Sequence, residues 1–137
     1  MQRDPRYHDA PREVTGWLAR RLDQARQSGI AEEAVALDLG IGFGKTLAHN
    51  LELIARLDEV TALGRPVVVG VSRKASSGSC SIFRVDQRLE AGLAAAAVAV
   101  FQGAAVIRAH DVGATRRAVT IAAAIREARA RTRAPSC

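Results

Sequence analysis

Three short runs rich in β-branched residues break off into polar or charged residues, and they restrict this chain to few folds. They are Val35-Ala-Leu-Asp38 running into Leu39-Gly-Ile-Gly-Phe-Gly-Lys-Thr46, Pro66-Val-Val-Val-Gly-Val-Ser-Arg-Lys74, and Ala104-Ala-Val-Ile-Arg-Ala-His-Asp111. Runs this short, apolar on both faces, read as strands buried in a parallel sheet. In parallel α/β folds ligands bind at the carboxyl ends of the strands, so three such endings point to one shared site.

Helical spacing fills the intervals. Asp9 caps a first helix with Pro11 in its first turn, Val14, Trp17, Leu18, Leu22 and Ala25 on one stripe, and Gly29 as its stop. A second carries Leu47, Leu51, Ile54 and Leu57 and ends at Gly64. A third runs from about Gln87 to Gln102, and a fourth carries Ala118, Ile121, Ala122, Ile125 and Ala128. The order is a helix followed by three strand-helix units. Asp38, Ser72 and His110 occupy corresponding positions 34 and 38 residues apart, the repeat of a βα unit. Such units build either an open doubly wound sheet or a (β/α)8 barrel, and spacing alone does not separate the two. Three strands leave sheet edges that something must cover.

At 137 residues, 48% hydrophobic and 25% charged, the chain has the composition of one globular domain. Its net charge of +6 gathers in the arginines between Arg116 and Arg133, while only 4% of residues are aromatic, so nucleic-acid binding is not expected. Cys80 and Cys137 form neither a disulfide framework nor a zinc motif. The longest apolar stretch, Ala91 to Phe101, is too short to span a bilayer. No signal-peptide pattern opens at Met1, and a cytoplasmic location is the expectation. Of 20 basic residues only Lys45 and Lys74 are lysine, each just after a strand ending, where a compact ammonium is wanted.

The segment Gly40-Ile-Gly-Phe-Gly-Lys-Thr46 invites a P-loop reading, but the position that requires the first glycine is Leu39, so the register fails. Its glycines imply unusual dihedrals, a close ligand approach or a tight strand-to-helix turn. Asp38, at a strand end facing several cations, suits the N–H edge of a heterocycle; capping the next helix or pairing with Lys45 are the structural alternatives. Ser72 and Lys74, like Arg108 and His110, are two apart and so share a strand face. Arg108 with His110 makes a pocket for a phosphate-like anion.

These segments, with His49-Asn50 and Arg88-Leu-Glu-Ala-Gly-Leu93, resemble in order the C-terminal signatures of the dihydropteroate synthases, a pterin-binding family. The resemblance implies the C-terminal portion of a (β/α)8 TIM barrel, with about three parallel strands and four helices and the barrel incomplete. It implies a transferase of folate biosynthesis that condenses 6-hydroxymethyl-7,8-dihydropterin pyrophosphate with para-aminobenzoate, giving 7,8-dihydropteroate and pyrophosphate, and that is the target of sulfonamides. By the same resemblance Asp38, Lys74 and Arg108 bind the pterin, and Phe43 and Lys74 line the aminobenzoate pocket. Arg108 and His110 bind the pyrophosphate, and Lys74, Arg108 and His110 carry the catalysis by positioned charge.

The chain departs from the family pattern at Asp38-Leu39-Gly40, usually Asp-Pro-Gly, and at Ala75-Ser76-Ser77-Gly78, which alters the helix expected at the aminobenzoate carboxylate. A barrel takes about 250 residues, so the chain corresponds to roughly the last half. Met1 is then expected to be an internal methionine of a longer protein. Magnesium is expected for the complete enzyme, with its asparagine ligand outside this chain and no metal ligand within it. Residues 1–131 form the expected partial barrel domain and 132–137 a flexible tail. The isolated chain is expected to be inactive. A noncatalytic pterin-binding fragment or an inactive gene remnant is the alternative, and a homodimer through the late helices is the expected self-association.

Overall fold

The computed structural model describes residues 6–71 and 88–133. Helix α1 (Ala10–Gln27) precedes a single 3-10 turn (Glu32–Ala34) and strand β1 (Leu37–Asp38). Then follow α2 (Leu47–Ala55), α3 (Leu57–Thr61), β2 (Val67–Val69), α4 (Arg88–Phe101), β3 (Val106–Ile107) and α5 (Val112–Arg133). The strands pair in parallel in the order β1-β2-β3. Leu37 and Asp38 lie beside Val67 and Val68, while Val68 and Val69 lie beside Val106 and Ile107. The strands are shorter than the apolar runs that contain them.

Alternation along each strand gives the sheet two unlike faces. Leu37, Val67 and Val69 point into one core with Val14 and Leu18 of α1, Leu53 and Ile54 of α2, Leu57 and Val60 of α3, and Ala99 of α4. Asp38, Val68 and Val106 form a row across the opposite face, and Val106 remains 47% exposed. Burial on both faces, expected from the apolar runs, therefore fails at β3.

The helices differ from expectation in three places. Five α-helices are present among the described residues, because the one expected after the glycine loop divides at Arg56, whose φ of −111° and ψ of 36° leave the helical range. Leu53, not Leu51, fills the core stripe of α2; Leu51 is exposed. On α1 and α5 the stripes are only partly covered, since Trp17, Ile121 and Ile125 face outward. The expected start of the third helix, Gln87, and the residues after Arg133 lie outside the described residues, while α5 itself continues through Thr132 and Arg133.

Local chemistry fixes the helix ends. Asp9 caps α1 by accepting the Arg12 N–H at 3.1 Å, and Glu13 accepts the N–H groups of His8 and Asp9 at 2.8 and 3.1 Å. Those donors hold both carboxyls below their usual range. Arg56 reaches back from the helix division to grip both oxygens of Asp9, at 3.0 and 3.2 Å. This pair ties the start of α1 to the junction of α2 and α3.

Candidate active site

The site is assembled at the carboxyl ends of the strands, beginning with the glycine loop between β1 and α2. Gly40, Gly42 and Gly44 all have positive φ, at 63°, 78° and 56°, so the loop uses the left-handed region at every second residue. Its shape is held by Asn50, which is buried one turn into α2. The Asn50 side-chain oxygen accepts the Gly42 N–H at 2.9 Å, and its amide donates to the Thr46 carbonyl at 2.7 Å. Thr46 caps α2 in a reciprocal pair: its hydroxyl accepts the His49 N–H at 3.2 Å, and its own N–H donates to His49 Nδ1 at 3.3 Å.

That cap removes one alternative for Asp38, which does not cap the helix. Asp38 Oδ1 instead accepts the Gly40 N–H at 2.8 Å, an Asx turn that aims the carboxylate along the open sheet face. Lys45 folds back over the loop, its ammonium 3.3 Å from both the Gly40 and Phe43 carbonyl oxygens. Burial lowers its pKa below 10.5, partly opposed by the negative charge of Asp38. Lys45 is thus a loop staple beside the carboxylate, and Phe43 stands in the loop 52% exposed.

Arg108 comes from the opposite edge. Its N–H donates to the Val69 carbonyl at 3.0 Å, which carries the β3 ladder one residue beyond the strand and sets Arg108 beside Gly70. From there its Nη2 donates to Asp38 Oδ2 at 3.2 Å, two strands away. Both side chains are about half exposed, 57% for Arg108 and 43% for Asp38. An ion pair this exposed contributes about 0–1 kcal/mol, so either partner can exchange it for a ligand at little cost.

His110 lies exposed in the bend between β3 and α5. Lys74 and Ser72 lie outside the described residues, as do the altered Ala75–Gly78 stretch and both cysteines. The structure therefore joins Asp38 to Arg108, two of the expected site residues. Asn50 and Gly70 were not singled out from the sequence for any role. The signal for Asn50 is an amide set into the apolar stripe of a helix directly after a glycine-rich loop.

Among the described residues no three His, Cys, Asp or Glu side chains converge to hold a metal ion. No helix among them is long and apolar enough to cross a membrane.

The family model for pterin binding enzymes matches residues 1–110. Dihydropteroate synthase of Escherichia coli (strain K12) is 41% identical over 121 residues, spanning 88% of this chain and 43% of that protein. The Haemophilus influenzae synthase is 39% identical over 115 residues, or 84% of this chain and 42% of the relative. Among solved structures, Yersinia pestis dihydropteroate synthase in a sulfonamide complex superposes with a TM-score of 0.83 at 38% identity, over 93% of this chain and 46% of that one. The Stenotrophomonas maltophilia synthase gives 0.81 at 40% identity, over 99% and 49%. The chain thus spans less than half the length of these relatives, and its three-stranded sheet is the C-terminal portion of their (β/α)8 barrel. Matched by the family model over residues 1–110 and by relatives about 40% identical over most of its length, the chain belongs to the pterin binding enzyme family.

Proposed function

We propose that this chain supplies the pyrophosphate-binding end and one wall of the pterin pocket of a dihydropteroate synthase. In the complete enzyme, para-aminobenzoate attacks the methylene carbon of 6-hydroxymethyl-7,8-dihydropterin pyrophosphate. The carbon–oxygen bond to pyrophosphate breaks, a carbon–nitrogen bond forms, and the amine loses a proton. The observation that carries this reading is the carboxylate of Asp38 meeting the guanidinium of Arg108, at 3.2 Å, on the open face of a parallel sheet.

Each partner has a use once the pair opens. The Asp38 carboxylate accepts from the amino-pyrimidine edge of the pterin, a planar N–H edge that two carboxylate oxygens match. Arg108, always charged and forked, takes the leaving pyrophosphate, with His110 beside it in sequence as a second donor. Negative charge that accumulates on the leaving group is stabilised by donors already in place. Lys74 donates to the pterin next to the aminobenzoate pocket, and Phe43 walls that pocket. Magnesium belongs to the complete enzyme and is bound outside this chain. Homodimers form through the late helices, where Ile121 and Ile125 are exposed.

Calorimetric titration tests the reading. The 137-residue chain is expected to bind 6-hydroxymethylpterin weakly, with Asp38→Asn reducing the affinity about tenfold or more, as for a charge-assisted hydrogen bond removed. Unchanged pterin affinity in Asp38→Asn removes Asp38 from the site and the proposal with it. Pterin binding without turnover once the rest of a barrel is supplied favours a noncatalytic pterin-binding module instead.

A further inference from the structure

We propose that Gly70 is a positioning residue for Arg108, and that the bare backbone it leaves in the middle strand joins the two outer strand ends into one site. The register fixes its place: Val68 lies beside Val106 and Val69 beside Ile107, so the next pair is Gly70 and Arg108. Asp38 belongs to β1, on the other side of β2. Neighbouring strands are about 4.8 Å apart, so a side chain from β3 must cross roughly 10 Å to reach β1. Arg108 does so by lying over Gly70, the residue that follows β2.

A Cβ built on Gly70 would sit 2.9 Å from Arg108 Nη2 and 3.3 Å from both Cζ and Nε. Those three atoms belong to the planar head of one side chain, and the same Nη2 donates to Asp38 at 3.2 Å. The glycine is not there for its backbone, because Gly70 lacks the positive φ seen at Gly40, Gly42 and Gly44. Alanine fits the dihedrals and fails only on the space that Arg108 occupies. A methyl group lifts the guanidinium off the sheet and away from Asp38, and a flexible arginine can yield to it without unfolding the strand.

The geometry stands by itself, while its consequence for ligands rests on the proposed pterin and pyrophosphate reading. The two parts are tested separately. In the 137-residue chain with 15N-labelled arginine, the Nε–Hε resonance of Arg108 is identified by its loss in Arg108→Lys. Asp38→Asn is expected to shift this resonance in the wild-type background and to leave it unmoved in the Gly70→Ala background. An equal shift in both backgrounds overturns the proposal. Should Gly70→Ala lower the melting temperature, adding Arg108→Ala is expected to restore it; failure to restore it also overturns the proposal.

Titration with inorganic pyrophosphate is the ligand arm. Gly70→Ala is expected to weaken binding about tenfold when Arg108 is present and to change nothing in Arg108→Ala. The same loss in both backgrounds overturns the positioning role. If the resonance behaves as expected while no pyrophosphate binds to any variant, Gly70 positions Arg108 and the pyrophosphate reading fails alone.

Discussion

Asn50 shows how one buried amide can hold one side of a glycine-rich loop. Gly40, Gly42 and Gly44 supply dihedrals but no side chains; Asp38 and Lys45 hold the Gly40 and Phe43 side of the loop, and Asn50 holds Gly42 and Thr46. Asn50→Ala leaves the Gly42 N–H, itself buried, without its acceptor. A loss of about 1–3 kcal/mol is expected in urea denaturation, with the unfolding slope unchanged. Lys45 gives a second prediction at this scale. Its folded pKa lies below the 10.5 of the unfolded chain because burial disfavours the charge. Between those two values the unfolded chain holds more protons, so the Lys45 contribution to stability rises with pH across that window. Lys45→Met is expected to remove that rise from a pH series of melting temperatures. That Asp38 and Arg108 stand at strand ends on one sheet face was legible in the sequence, because a charge ending an apolar run marks where the strand leaves the core. Asn50 and Gly70 were not, because what they do depends on atoms that only the fold brings near.

Helix α1 and the division between α2 and α3 show the same division of labour among elements. The α1 start was legible down to the residue, Asp9 as cap and Pro11 in the first turn, because capping is local chemistry. The break at Arg56 was not. In an unbroken helix the Ala55 carbonyl would accept the Glu59 N–H; here that N–H goes to the Arg56 carbonyl at 3.2 Å, and Ala55 accepts the Gln102 side-chain amide at 2.6 Å. A residue 47 positions away ends the helix, which no local spacing can reveal. Gln102→Ala is expected to cost about 1 kcal/mol in thermal or urea denaturation. The Asp9 cap predicts an acid effect of defined sign. Its folded pKa is below 3.8, so its contribution is present in full above 3.8 and lost as pH falls through the folded value. The difference in stability between wild type and Asp9→Ala is expected to be constant at neutral pH and to vanish in strong acid. A difference unchanged at low pH would mean that the carboxylate charge plays no part in the cap.

At the scale of the molecule, the order of strands and helices was legible because a βα unit repeats, but closure of the barrel was not, since open sheets and barrels share that period. The structure leaves β1 and β3 at the edges of the three-stranded sheet, with Val106 exposed on the face that carries Asp38 and Arg108. Among the described residues the proposed pocket has one wall, which bears on the rate expected of this chain. Condensing two substrates gains roughly 7–11 kcal/mol from holding both in attack geometry, and that gain requires contacts around both reactants. On the proposed reading, Asp38 and Arg108 hold a pterin or a pyrophosphate, while fixing the amine over the methylene carbon takes further contacts. Rigorously pure 137-residue protein is expected to show no turnover above background with both substrates and magnesium, under conditions where the pterin still binds. Turnover that copurifies with the chain and disappears in Arg108→Ala would mean that the pocket closes without further strands, for instance between two copies of this chain. Activity assayed beside sedimentation across a concentration series would then rise with the fraction of dimer.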